Sequence, residues 1–201
     1  MISKGFTKGI KDDQGKMLWY LIIATIPAAI AGVLFEDVLE NAVRKNYVVI
    51  ALALAIMGVI IYCADKYSKS NNSLKKMSMK DALIIGCSQV LALIPGFSRS
   101  GTTIAAGRVL GINREDAAKF SFYLSAPVVC GALVLQLLKK ATWTVIAANL
   151  TTFILGVLIS FIVGLLCIKY LLKYLHNHNF KIFMIYRIIL AIIVLIMIGV
   201  K

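Results

Sequence analysis

An apolar run from Ala82 to Ile94 stops after thirteen residues at Pro95-Gly96. The chain then continues Phe97-Ser98-Arg99-Ser100-Gly101-Thr102-Thr103, an arginine among four hydroxyl side chains. Elsewhere the sequence is built from apolar runs long enough to cross a bilayer, so this stretch has to be housed at membrane depth. A charge there costs about 2.5–3.5 kcal/mol on insertion scales, and arginine cannot shed its proton to avoid the cost. A run of thirteen residues is too short to span and reads as a re-entrant half-helix. Two such halves, over 81–112, can meet at an irregular turn inside the membrane if the turn is buried or lines a wet cavity.

The remaining runs set the frame. Spans are expected over 17–35, 47–64, 116–138, 143–172 and 182–200. The first is nineteen residues long, which at ~1.5 Å per residue reaches ~28 Å, enough for the hydrocarbon layer. Trp19 and Tyr20 stand at its start, where interfacial aromatics belong, and Pro27 inside it predicts a kink. The span over 143–172 is longer than a membrane requires and predicts a tilted or projecting helix. The chain is 60% hydrophobic, with mean hydropathy +0.88, where soluble domains are roughly 45–50% apolar. The fold class is therefore all-α: a polytopic membrane protein of about five transmembrane helices plus one re-entrant helical hairpin, forming a single integral membrane domain over 1–201.

Net charge is +13, from 22 Lys+Arg against 9 Asp+Glu. The lysines lie between apolar runs, so topology and anionic headgroups account for them and nucleic acid is not an expected partner. Segments 1–16, 65–80 and 169–181 hold most of the loop lysines and fall on one side if the hairpin returns to its starting face. The other face has Arg44, Lys45, Lys139, Lys140 and the terminal Lys201. The positive-inside rule makes the rich side cytoplasmic. No cleavable leader is expected, because no short apolar core with a small-residue cleavage site follows Lys4, Lys8, Lys11 and Lys16. Cys63, Cys87, Cys130 and Cys167 form no CxxC pair and read as buried apolar thiols.

The turn suits an oxyanion. Unpaired backbone N–H groups at the start of the second half-helix attract negative charge. Gly96 and Gly101 allow close backbone approach. Arg99 can clamp two phosphate oxygens, while Ser98, Ser100, Thr102 and Thr103 donate to the rest, an arrangement that stabilises charge during phosphoryl transfer. The plainer alternative is a capped, broken helix, since Ser and Thr are favoured N-caps without any ligand. Arg99 could equally pair with a carboxylate on a neighbouring helix. The depth of the arginine favours the anion site.

Gln89-Val90-Leu91-Ala92-Leu93-Ile94-Pro95-Gly96-Phe97-Ser98-Arg99-Ser100-Gly101-Thr102-Thr103-Ile104 resembles the second signature of the undecaprenyl-diphosphate phosphatase family (the bacitracin-resistance type). Gly111 through Leu124, with Pro127, continues the likeness, and Ile26-Pro27-Ala28 and Tyr186-Arg187 extend it across essentially the whole chain. The resemblance implies a membrane phosphatase that removes one phosphate from a C55 polyprenyl diphosphate, regenerating the lipid carrier of cell-wall precursors in the bacterial inner membrane. It implies two inverted repeats, each with a re-entrant hairpin. It assigns Arg99 to diphosphate binding, Ser98 and Thr103 to the same pocket as catalytic residues, and Gln89 to the signature. Gly96, Ser100, Gly101 and Thr102 follow as substrate-binding positions. Mg²⁺ or Ca²⁺ as a diphosphate partner is implied by the resemblance alone. A second copy of the chain, as a homodimer, is a further candidate partner beside the lipid and the bilayer.

The family pattern also has an earlier signature, acidic residues followed by a Ser-Ser-Thr-Gly-His turn, which supplies the serine nucleophile, a histidine and carboxylates. No such stretch occurs in this sequence. On the resemblance the chain lacks the first hairpin and the span after it, as a fragment, a misplaced start or a truncated gene. Glu36, Asp37 and Glu40 read as solvated loop carboxylates rather than substitutes. His176 and His178, two apart, sit on different helix faces and read as a snorkelling helix end. Glu115 and Asp116 complement a helix dipole, and Phe120, Phe122 and Tyr123 read as packing or lipid contacts. Two other readings stay open: a broken-helix carrier that binds anionic lipid headgroups without hydrolysis, and an inactive fragment.

Overall fold

The protein was analysed as a computed structural model that describes residues 13–35, 46–68 and 72–199. Glu36, Asp37, Glu40, Arg44 and Lys45 lie outside the described residues, as do Lys4, Lys8, Lys11 and Lys201. The described residues form helices α1 (Asp13–Leu34), α2 (Tyr47–Tyr67), α3 (Met79–Ser88), α4 (Arg99–Val109), α5 (Arg114–Leu137), α6 (Lys140–Ala148), α7 (Leu150–Asn177) and α8 (Lys181–Gly199), with short 3₁₀ turns at Leu74–Lys76 and Gln89–Leu93. Five of the helices, α1, α2, α5, α7 and α8, are long and apolar enough to cross a membrane. The chain is an all-α polytopic membrane protein.

Local chemistry sets the boundaries. Asn46 caps α2 by accepting from the Val49 N–H. Ser78 and Asp81 make a capping box at the start of α3, which satisfies two orphan donors at once. Asn113 caps α5 through the Asp116 N–H. Pro27 lies inside α1 and Pro127 inside α5, and both helices run on past them.

The expected span over 143–172 is not one helix. Asn149, at φ −131° and ψ 37°, separates α6 from α7, and α7 then runs five residues further than expected, to Asn177. The side-chain amide of Asn149 donates to the Val145 carbonyl at 3.2 Å, the local backbone competition that makes asparagine a helix breaker. The cysteines also depart from expectation. They are free thiols, Cys63 half-buried and the other three exposed on apolar helix surfaces. A lipid-facing position satisfies a small apolar side chain as well as a protein core does.

The hairpin of α3 and α4 is packed from both sides. On one, Gly86 of α3 lies against α1 so closely that a Cβ there would collide with the backbone of Ala24, the small-residue contact by which membrane helices approach one another. On the other, α4 lies along α2, with Met57 and Ile61 of α2 and Ile104 and Ala105 of α4 buried in a common core with Ile85 and Phe120. Helix α8 packs against α2 where Gly58 faces Arg187. Helix α7 turns nearly all its side chains outward, with Leu175 its buried residue, as a lipid-facing helix should.

The base of the hairpin is fastened. Gly111, at φ +84°, lets the chain double back so that the Asn72 N–H donates to the Gly111 carbonyl and the Asn113 N–H to that of Asn72, both at 2.9 Å. Beneath this sits a buried ion cluster. Asp65 Oδ1 accepts from Arg108 Nε at 2.9 Å and from Arg114 Nε at 2.7 Å.

Candidate functional site

The tip of the hairpin begins as a β-turn. Ile94-Pro95-Gly96-Phe97 closes with the Phe97 N–H on the Ile94 carbonyl at 3.0 Å. Proline at the second position and a glycine at φ +97° at the third give the type II geometry. A Cβ on Gly96 would also lie 2.5 Å from the Ile50 carbonyl of α2, so backbone shape and packing both require glycine here. Ser98 then caps α4, its Oγ accepting from the Gly101 N–H at 3.1 Å. The backbone N–H groups of Arg99 and Ser100, at the first two helical positions, are left with no intrahelical acceptor.

Opposite this N-terminus stands Arg187, which projects from the apolar helix α8. Its Nε donates to the Leu54 carbonyl at 3.1 Å and its Nη2 to the Gly96 carbonyl at 2.6 Å. Those bonds tie α8, α2 and the hairpin turn into one unit. Between them lies a cavity of about 90 Å³. Its lining includes the polar tip, Ser98, Ser100 and Gly101, together with Arg187. The rest of the lining is apolar: Met57, Ile61, Ile104, Leu171, Phe180 and Phe183.

The structure thus brings together three of the residues singled out in the sequence, Ser98, Ser100 and Gly101. Gly96 lies behind them at the turn. Arg99 is half-buried and does not line the cavity, and its guanidinium has no hydrogen bond or ion pair among the described residues. Thr102 and Thr103 are buried. Both hydroxyls donate to the Arg99 carbonyl, at 2.9 and 3.0 Å, and Thr103 also meets Ser121 of α5 at 2.7 Å. Gln89 is buried in the preceding 3₁₀ turn, its Nε2 without a hydrogen-bond partner. Helical periodicity explains the division. Ser98, Gly101 and Ile104 recur every third residue on the face turned to α2 and α8, whereas Arg99 and Thr103, four apart, share another.

Arg187 is the charged residue of the cavity, and the sequence reading named it only within the resemblance. The signal was present: an arginine six residues into an apolar helix carries the same cost of placement as Arg99. The acidic and histidine candidates are elsewhere. Glu115 pairs with Lys119 at 2.6 Å and with His176 at 3.2 Å, and Asp116 accepts from the Leu74 N–H at 3.0 Å. His178 stacks on Tyr174. The cavity offers hydroxyls and a guanidinium without a carboxylate, and among the described residues no three His, Cys, Asp or Glu side chains cluster. These residues do not fit Mg²⁺ or Ca²⁺.

The family model described as bacitracin resistance protein BacA matches residues 1–193. An undecaprenyl-diphosphatase of Elusimicrobium minutum (strain Pei191) is 47% identical over 196 residues, 98% of this chain and 73% of that protein. One of Caldicellulosiruptor bescii is 44% identical over 185 residues, 92% of this chain and 69% of the relative. A third, of Desulforudis audaxviator (strain MP104C), is 40% identical over 190 residues, 94% of this chain and 71% of that protein.

Proposed function

The chain belongs to the bacitracin resistance protein BacA family, and on that premise we propose that it acts as an undecaprenyl-diphosphatase. The reaction takes undecaprenyl diphosphate and water to undecaprenyl phosphate and inorganic phosphate. It returns the lipid carrier to peptidoglycan synthesis and confers bacitracin resistance. The location is the bacterial plasma membrane, with the lipid substrate reaching the site within the bilayer.

The observation that carries this reading is one cavity lined both by Arg187 and a helix N-terminus and by apolar side chains. A phosphate joined to a hydrocarbon matches both. Arg187 and the free N–H groups of Arg99 and Ser100 take the oxygens of the phosphate joined to the hydrocarbon, which leaves as undecaprenyl phosphate, and Ser98 and Ser100 donate from their hydroxyls. These donors strengthen as negative charge gathers on the phosphoryl oxygens during P–O cleavage. The Arg99 guanidinium, outside the cavity, serves the outer phosphate. Attack on phosphorus is assigned, by the resemblance, to the serine of the acidic Ser-Ser-Thr-Gly-His signature, which this sequence does not contain. The residues here therefore bind and stabilise.

The test is inorganic phosphate release from undecaprenyl diphosphate in detergent, by protein expressed with and without the coding region upstream of Met1. Arg187→Ala in the active form should lower turnover by about 10²–10³-fold, the cost of one lost transition-state donor. Unchanged turnover would remove the cavity from the reaction. Headgroup binding with no release in either form would favour a carrier.

A further inference from the structure

We propose that Phe183, braced by Phe180 and facing the cavity beside Leu171, is the subsite for the first isoprene units of the lipid, and that it sets the preference for a prenyl diphosphate over a bare one. The inference rests on the reading of this cavity as the phosphate site.

Phe183 and Arg187 are four residues apart on α8 and both line the cavity. That spacing stacks them on one helix face, with Cβ atoms about 5–6 Å apart. A cation that holds phosphate and a ring that holds hydrocarbon therefore stand side by side, in the order in which a prenyl diphosphate presents its two chemistries. The ring is held in advance. Its centroid is 5.8 Å from that of Phe180 and 6.1 Å from that of Tyr174, the latter edge-on. Phe180 is itself 2% exposed, and Tyr174 is stacked on His178. A wall fixed before binding loses little freedom when the ligand arrives, which favours affinity.

The size of the chamber limits what the wall can read. A chamber of about 90 Å³ is far too small for a long prenyl chain, so it takes the part of the ligand nearest the phosphate and the rest of a long tail lies outside. Phe183 should therefore sense whether a prenyl group is present and be indifferent to its length. A diphosphate without carbon would use only the polar side and leave the ring uncovered.

The experiment is titration calorimetry on the full chain in detergent with three probes: inorganic pyrophosphate, farnesyl diphosphate and undecaprenyl diphosphate. Phe183→Ala should weaken both prenyl ligands about tenfold, as expected for losing part of one ring's apolar contact. It should leave pyrophosphate within about twofold of the unaltered protein. Leu171→Ala, on α7 across the same wall, should repeat the selective loss, so the result does not depend on how well one variant folds. Phe183→Leu should recover most of the prenyl affinity. An equal loss for all three ligands, or no loss for any, would overturn the role of Phe183. A penalty that grows from farnesyl to undecaprenyl would overturn its restriction to the first units. Arg187→Ala separates this inference from its premise: it should weaken all three ligands, and if it weakens none the phosphate site itself is wrong.

Discussion

At the base of the hairpin Arg108 is 2% exposed. It donates from Nε to Asp65 at 2.9 Å and from Nη1 to the Ile112 carbonyl at 2.6 Å, while its own carbonyl accepts from Ser68 at 2.7 Å. At the tip, one short helix away, Arg99 is half-buried and its guanidinium has no polar partner among the described residues. The two arginines share one helix and one intrinsic charge, so the contrast lies in what surrounds them. At the base a carboxylate and backbone oxygens compensate the charge, and the guanidinium works as a fastener. At the tip donors gather without a carboxylate: Arg99, two free N–H groups, and Arg187 of the same cavity, which is satisfied by backbone carbonyls but not neutralised. A protein that fixes one end of a hairpin this firmly and leaves positive charge uncompensated at the other has set the second end aside for an anion.

The strongest challenge to this contrast is to remove the fastener. Asp65→Asn keeps the shape of the side chain but leaves Arg108 and Arg114 without their shared countercharge. Breaking a buried pair typically costs about 3–5 kcal/mol. Thermal unfolding in detergent should show a loss on that scale, while Arg99→Ala should stay within about 0.5 kcal/mol, as a change at an unpartnered side chain does. Equal losses from the two variants would abolish the distinction between base and tip.

Activity should respond in the opposite order. Arg99→Lys in an active form of the protein keeps the charge and loses the bidentate fork, and should lower turnover about 10²-fold, on the order of 3 kcal/mol in the barrier. Its unfolding midpoint should not move. Near-normal turnover would take Arg99 out of the mechanism and leave Arg187 as the cation that matters.

Much of this contrast could be read from the chain before any coordinates. The short run ending at Pro95-Gly96 pointed to the hairpin, because thirteen apolar residues are too few to cross a bilayer. Long apolar runs gave the five spans, since length and composition are one-dimensional properties. The break at Asn149 was missed because hydropathy does not register an asparagine that bonds its own preceding turn. The cavity was half legible. Its Ser98, Ser100 and Gly101 side lies within one motif, but Arg187 is 86 residues beyond Gly101, and only packing at Gly58 and Gly96 brings it there. The motif also placed Arg99 and Thr103 with the others because they are close in sequence, whereas helical rotation turns them to a different face.

That rotation can be tested at Thr103, where the smallest effect is expected. Its hydroxyl lies 3.0 Å from the Arg99 carbonyl, 3.2 Å from that of Ser100 and 2.7 Å from Ser121 Oγ. A single proton can serve one of these, and the residue is 2% exposed. Thr103→Val keeps the volume and removes the bond, so stability should fall by about 1 kcal/mol, the usual net worth of a hydrogen bond. Ser121→Ala should reproduce most of that loss, and the double variant should cost less than the sum, because both changes remove one interaction. Turnover should fall less than about tenfold in each case, since neither hydroxyl touches the cavity and each acts only by seating the first turn of α4 against α5. Should Thr103→Val reduce turnover a hundredfold while Ser121→Ala leaves it intact, the Thr103 hydroxyl reaches the phosphate, and the tip has one more donor than the helical faces allow.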